Sequence, residues 1–188
     1  MNIYDFDDTI FDGDSSVVFI KYSLVRHPII VIWSIIKSFK EIFKYLFKKS
    51  NIGQIKSVLF SFVKYIDNLD EYMDEYVLKH QKRIKKFYLE QKKDDDVVIS
   101  ASFDFIVRHF CEKLGIKEII ATKYDTKKGC IIGNNCKGKE KIVRFNKIFK
   151  NKKVNEAYSD SLSDIPMFEI AKKAYLVKGE DLEEYKIS

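Results

Sequence analysis

The residues best equipped for chemistry in this chain are acids that recur at separated points. They are Asp5, Asp7 and Asp8 in the opening YDFDDTI, and Asp160 and Asp164 in YSDSLSDIPM. Between them lie a hydroxyl at the end of an apolar run, Ser100 in VVIS, and two lysines, Lys139 and Lys141, in GKEK. Carboxylates that meet at one point repel each other and are expensive to desolvate. A hard divalent cation with oxygen ligands relieves that repulsion. Magnesium, which takes a few carboxylates together with waters and phosphate oxygens, suits such a set. Asp and Ser also cap helices and turns, a reading open to Asp12, Asp14, Ser15 and Asp104. Capping is a poor account of the whole set, because it leaves acids at two strand ends to chance.

For these groups to meet, the fold must carry them to one place. Residues 2–6 read as a short buried strand that stops at the first acids. After Asp94-Asp95-Asp96, the run VVIS has the β-branched character of a parallel strand covered on both faces. Alternation follows: a helix over 103–114 closed by Gly115 as its C′ glycine, a strand over 118–122 and a hairpin around Lys127-Lys128-Gly129. Then come a helix over 138–149, a strand over 154–158, a helix over 163–171 and a strand over 174–177. This order predicts an α/β fold, Rossmann-like, with a mainly parallel sheet. Ligands of such sheets bind at the carboxyl ends of the strands, which is where Asp5, Asp7, Ser100 and Asp160 fall.

Residues 15–93 interrupt the alternation. Ile29, Ile32, Trp33, Ile36, Phe39, Phe43 and Phe47 recur at three- and four-residue spacing, the mark of a helix. A second helix is expected over 54–66, and a third from Asp67 or Asn68 as N-cap toward Leu89. The block is too long for a crossover and reads as an inserted all-helical cap. Residues 1–14 and 94–188 are therefore expected to form the catalytic core, and residues 15–93 the cap.

Composition bounds the rest. With 188 residues and 46% apolar side chains, the chain has room for one catalytic domain and a modest insertion. Its three cysteines form no CxxC pair and read as reduced thiols in a cytosolic setting. The three histidines lie far apart without metal-ligand spacing, which argues against zinc. No basic region followed by an apolar run opens the sequence, so a cytoplasmic location is expected. The net charge of +6 is unevenly spread: residues 21–93 carry 16 Lys or Arg against 7 Asp or Glu, the remainder 18 against 21. A basic segment of this kind suits an anionic partner, or is simply a set of solvated helix faces. No aromatic–basic recognition motif accompanies it, so nucleic acid is not expected as a partner.

Taken together, YDFDDTI, the run ending in Ser100, GNNCKGKEK and YSDSLSDIPM resemble, in order, the four motifs of the haloacid dehalogenase-like superfamily. The SAS stretch at Ser100 to Ser102 is similar to its phosphoserine-phosphatase-like branch. The resemblance implies a magnesium-dependent phosphatase acting on a phosphorylated small molecule. It implies Asp5 as the nucleophile that becomes an aspartyl-phosphate, and Asp7 as the acid that protonates the leaving alcohol and then activates water. Ser100, with Ala101, matches the phosphate-binding stretch, and Asp160 a metal ligand, joined by Asp5, by the Asp7 backbone carbonyl and by Asp164 close behind. Lys141, three residues after Gly138, matches the charge-neutralising lysine, with Lys139 the alternative. An acid at Asp7 favours phosphate-ester hydrolysis, since ion-pumping relatives carry threonine there and dehalogenating relatives lack the acid. A receiver domain, the signalling alternative, would place its phosphorylated aspartate at the third strand end, where this chain has basic helix. A phosphatase-like scaffold without activity is a further alternative.

Specificity is expected to reside in the cap. Phosphoserine phosphatases use a glutamate nine residues after the nucleophile to contact the substrate amine, and Asp14 stands at that offset. The first cap helix opens with PIIVIWSII and continues into Lys37, Lys40, Lys44, Lys48 and Lys49. Its apolar stretch is too short to span a bilayer. Two readings stay open: residues 28–49 lie on a membrane surface, as in a membrane-associated lipid-phosphate phosphatase, or the helix is buried in the cap or lines an apolar pocket.

Overall fold

The computed structural model describes residues 1–150 and 152–186. Its chain begins with β1 (Ile3–Tyr4), two fully buried residues, and Asp5 extends that strand by donating its backbone N–H to the Tyr158 carbonyl at 2.9 Å. Five helices follow: α1 (Ser15–Arg26), α2 (Pro28–Leu46), α3 (Ile52–Leu59), α4 (Leu69–His80) and α5 (Lys86–Gln91). Alternation then sets in with β2 (Val97–Phe103), α6 (Asp104–Leu114) and β3 (Glu118–Thr122). A small hairpin of β4 (Tyr124–Asp125) and β5 (Cys130–Ile131) precedes α7 (Lys139–Phe149) and β6 (Val154–Ser159). The chain closes through α8 (Ile165–Phe168), β7 (Ala171–Lys178) and β8 (Asp181–Tyr185).

Six strands form one sheet in the order β3-β2-β1-β6-β7-β8, parallel throughout except where β8 runs back along β7. The expected mainly parallel α/β sheet is therefore present. β1 lies between β2 and β6, so the chain leaves it to one side and later returns on the other. Such a switch point opens a crevice at the carboxyl ends of the strands. Side chains alternate across the pleat: Tyr4 and Val98 join α1, α4 and α6 in one core, whereas Ile3, Val97 and Ile99 meet Phe145 and Phe168 from α7 and α8 in the other.

Local signals set many boundaries. Asp14 caps α1 by accepting from the Val17 N–H at 2.9 Å, and Pro28 opens α2 at a position that has no use for an N–H. Asn51 and Gln54 form a reciprocal capping box on α3. Gly115 adopts φ +75° and lets Ile116 donate back to Cys111 at 2.8 Å, ending α6.

Three expectations are corrected. The second cap helix stops at Leu59 and continues as a 3-10 turn over Ser61–Tyr65, which buries Phe62 and Val63. The third stops at His80 because residues 83–85 pair with the loop after β1: the Asp12 N–H donates to Arg83 and the Lys85 N–H to Ile10, each at 2.8 Å. That pairing is long-range and overrides helix propensity. At the far end, α8 is a single turn, because β7 starts early, at Ala171, in register with Val154, and β8 was not foreseen at all. Its acid-rich edge carries little apolar pattern.

The helical block is attached through an aromatic cluster. Phe19 lies 5.2–6.3 Å, ring to ring, from Phe60, Phe62, Tyr72 and Tyr76 within the block, and 5.7 Å from Phe105 of α6. Removing this ring leaves a cavity where the block meets the sheet-covering helix. Phe19→Ala is expected to lower stability by about 3–5 kcal/mol, measured by urea unfolding; a loss under 1 kcal/mol would show that the cluster is not a joint of the fold.

Candidate active site

At the end of β1 the Asp5 carboxylate meets a single buried cation. Lys141, in the first turn of α7, donates its Nζ to Asp5 Oδ1 at 2.7 Å and to Asp164 Oδ2 at 2.6 Å, with its side chain 2% exposed. Lys139 starts the same helix on the solvent side, so the structure brings Lys141 to the acids and leaves Lys139 outside. Ser159 Oγ donates to the same Asp164 oxygen at 2.8 Å, while the other, Oδ1, is buried without a partner. Burial works against the Lys141 charge, but Asp5 and Asp164 outweigh it and hold its pKa above the ordinary value. Burial also pushes the Asp5 carboxyl up, and the like charge of Asp164 adds to this against the pull of Lys141.

Across the crevice Asp7 is held by two donors. The Ser15 N–H, at the start of α1, reaches Oδ1 at 2.7 Å, and Ser102 Oγ donates to Oδ2. Burial nevertheless pushes the Asp7 carboxyl up to about 7, helped by Asp5 and Asp14. Asp160 donates its backbone N–H to Thr9 Oγ1 at 2.9 Å, which ties the β6 end to the loop after β1. Its carboxyl is pushed up to about 6 by burial, then by Asp5 and Asp8. Asp8 itself takes the left-handed conformation, φ +52°, and its carbonyl accepts from the buried Lys85 ammonium.

A cavity of about 380 Å³ opens over Asp5, Asp7, Lys141, Asp160 and Asp164. Its far wall is contributed by Asp14, which precedes α1, and by the helical block through Ser16, Ile52 and Lys56. Asp14 thus both caps α1 and lines the cavity. Ser100 does not line it: the residue is fully buried and its Oγ accepts the Ser102 N–H at 3.0 Å, leaving Ala101 and Ser102 as the surface presented.

Three participants had escaped the sequence reading. Ser102 stood in the SAS stretch without an assigned contact, and Thr9 stood in the first motif. Lys56 carried no signal, because only tertiary packing of α3 brings it over the cavity, where its Nζ donates to the Ala101 carbonyl at 3.0 Å.

The acids lining the cavity outnumber its lysines, and the ligands they offer are carboxylate oxygens. Such a set fits a small hard cation. Among the described residues no three His, Cys, Asp or Glu side chains are gathered as a self-sufficient metal cage. This is compatible with magnesium, which binds through one or two carboxylates and completes its shell with water and phosphate oxygens. The orphaned Asp164 Oδ1 and the raised carboxyls of Asp5 and Asp160 are the local marks of unneutralised negative charge.

The haloacid dehalogenase-like hydrolase family matches residues 3–169, which contain all of these groups. The chain belongs to that family. It is 34% identical to protein CicA of Caulobacter vibrioides over 88 residues, 43% of this chain and 40% of CicA. It is 26% identical to a histidinol-phosphatase of Neisseria meningitidis over 122 residues, 57% of this chain and 55% of that protein. The matched region thus spans about half or less of each relative. A structure of a Bordetella pertussis protein of unknown function superposes with TM-score 0.71 at 15% identity, over 93% of this chain and 87% of that one. A phosphoserine phosphohydrolase-like protein of Francisella tularensis superposes with TM-score 0.57 at 15% identity, over 93% and 86%. At these identities the two structures establish a shared fold.

The lysine bridge makes a direct prediction. Lys141→Met strands the Asp5 and Asp164 carboxylates in the interior, and is expected to cost about 3–5 kcal/mol at pH 8. Asp5 titrates higher in the folded than in the unfolded chain, so the folded state binds more protons and stability recovers as pH falls toward 5. Urea unfolding at pH 8 and pH 5 checks this; an equal loss at both values would rule out stranded charge as the cause.

Proposed function

We propose that the chain is a magnesium-dependent phosphatase that hydrolyses a small phosphate monoester through an aspartyl-phosphate on Asp5. The observation that carries the reading is the pairing in one crevice of two buried carboxyls held by different partners. Asp5 is clamped by a buried lysine, and Asp7, two residues on, has its pKa raised to about 7. The histidinol-phosphatase and the phosphoserine phosphohydrolase-like protein among its relatives are consistent with that chemistry.

In this reading the Asp5 carboxylate attacks phosphorus, and the ester P–O bond breaks as the leaving oxygen takes the proton held by Asp7. Asp7, now a carboxylate, removes a proton from water, whose oxygen attacks the same phosphorus. Asp5 is released, with inorganic phosphate as product. A phosphoryl group in transfer spreads its charge over equatorial oxygens, so positioning and charge neutralisation do most of the work. Lys141 holds Asp5 in place and offers positive charge beside it. The hydroxyl of Ser102 and the N–H of Ser15 fix Asp7 for both proton transfers. Ser100 acts from beneath, ordering the Ala101 and Ser102 backbone against which phosphate would sit. The carboxylates of Asp5 and Asp160 and the Asp7 backbone carbonyl would hold magnesium, with Asp164 close behind, and the ion when bound supplies charge for the phosphoryl oxygens. Lys56 from the helical block and Asp14 just before that block face the substrate, and a cap over residues 15–93 is the corresponding division of the chain.

Turnover of p-nitrophenyl phosphate with and without magnesium is the first test. Asp5→Asn should fold normally and lose turnover by at least about a thousandfold, a size set by comparable losses of electrostatic and nucleophilic groups. Asp160→Asn should lose both activity and the rise in melting temperature on adding magnesium. Near-normal turnover by Asp5→Asn, or full activity under exhaustive chelation, would refute the mechanism.

A second test uses the raised Asp7 carboxyl. Leaving-group protonation needs the protonated form, so kcat/KM for an alkyl phosphate should fall as pH rises past about 7. p-Nitrophenyl phosphate, whose leaving group needs no proton, should lose far less over the same range. Identical profiles for the two esters would show that Asp7 is not the acid.

A further inference from the structure

The helical block holds a surface that the catalytic reading leaves unused. α2 packs by a face that buries Val31, Ser34 and Ser38, with Ile30 and Ile35 partly buried beside them, and turns the remainder of its circumference outward. With successive residues about 100° apart, that outward surface divides into two strips. One carries Ile29, Ile32, Ile36, Phe39, Phe43 and Leu46, between 47% and 72% exposed. The other, directly beside it, carries Lys37, Lys40 and Lys44, all exposed, with Lys48 and Lys49 following the helix. Trp33, 58% exposed, stands among these lysines, between Lys40 and Lys44 on the helix circumference. The only acid on α2, Glu41, is already engaged by Lys44 at 2.7 Å and by Ser50 at 3.0 Å. No helix among the described residues is long and apolar enough to cross a membrane.

We propose that α2 docks flat on an anionic lipid bilayer, with the apolar strip entering the interface and the lysine strip meeting lipid phosphates. An apolar strip of this size left in water needs an occupant, and the charge beside it selects among candidates. A second copy of the chain, seated antiparallel on the same face by two-fold symmetry, would bring lysine strips of like sign together, and a parallel one would leave both strips facing water. An anionic bilayer offers an apolar interior and a negative surface in the same plane, which is the pairing of strips that α2 presents. The surrounding helical block, with 16 basic against 7 acidic residues over 21–93, adds long-range attraction of the same sign.

The geometry also relates this face to the cavity. A groove of about 540 Å³ runs from Tyr45, at the C-terminal end of α2, to Ile52 and Asn135. These last two residues also line the cavity over Asp5. Docking of α2 on a bilayer requires no turnover at Asp5.

The test is co-sedimentation of the whole chain with phosphatidylcholine vesicles containing 0% or about 30% phosphatidylglycerol, at low and high salt. Binding should appear only with the anionic vesicles and should fall severalfold between about 50 mM and 500 mM salt, as screening shortens to a few ångströms. Lys37→Glu/Lys40→Glu should lower the partition coefficient at least about tenfold, from the electrostatic contribution of each lysine near a charged surface. Phe39→Ser/Phe43→Ser should do the same by removing the inserted strip. All four positions are exposed, so circular dichroism and p-nitrophenyl phosphate turnover serve as folding controls. No binding to anionic vesicles, equal binding to neutral ones, or a concentration-dependent dimer abolished by the same substitutions would overturn the proposal.

Discussion

The interaction on which the site depends is the bridge from Lys141 to Asp5 and Asp164, drawn from three separate stretches of chain. Removing three charges from water is costly, and their attraction offsets that cost only when each partner is fully engaged. Lys141 is nearly so, donating at 2.7 and 2.6 Å to two carboxylates. The acids are not: Asp164 keeps one oxygen without a partner, and Asp160 stands nearby with its carboxyl pushed up to about 6. One buried cation is thus set against more negative charge than it can balance. The remaining imbalance is the physical reason this crevice suits a cation and a phosphoryl group.

The fold is arranged to hold that imbalance in place. β1 is only two residues long, yet it is paired on both sides and buried on both faces, so the loop that leaves it starts from a fixed point. The loop is then tied down at several places. Thr9 accepts from the Asp160 backbone, Lys85 reaches the Asp8 carbonyl, and the start of α1 donates to Asp7. The helical block therefore supplies anchors for the acids as well as a wall opposite them. A carboxyl tuned by burial and two donors needs this kind of support to keep its geometry.

Seen from outside, the same block has two characters. Its inner side is aromatic and closely packed around Phe19, whereas α2 presents apolar and basic strips to solvent. Tyr45 of α2 lines the groove that leads to the cavity, so a surface engaged by α2 lies next to that groove.

Much of this was legible in the sequence. Acids at the ends of β-branched runs, the alternation of elements after residue 94 and the helical spacing between residues 15 and 93 all depend on local pattern. Asp5, Asp7 and Asp160 could be singled out because the period of each element tells which residues end a strand, and Asp164 because it follows Asp160 within the same motif. What sequence could not supply was anything depending on how distant segments meet. The motif spacing after Gly138 pointed to Lys141 with Lys139 as the alternative, and the pitch of α7 is what turns Lys141 inward and Lys139 to solvent. The break at His80 follows from pairing with the loop after β1. The recess of Ser100 behind Ala101 and Ser102 follows from backbone geometry at the end of β2. The apolar face of α2 was visible as a period, but whether it met protein or solvent was decided by the small buried residues Ser34 and Ser38, and by where α3 and the 3-10 turn after it packed against them.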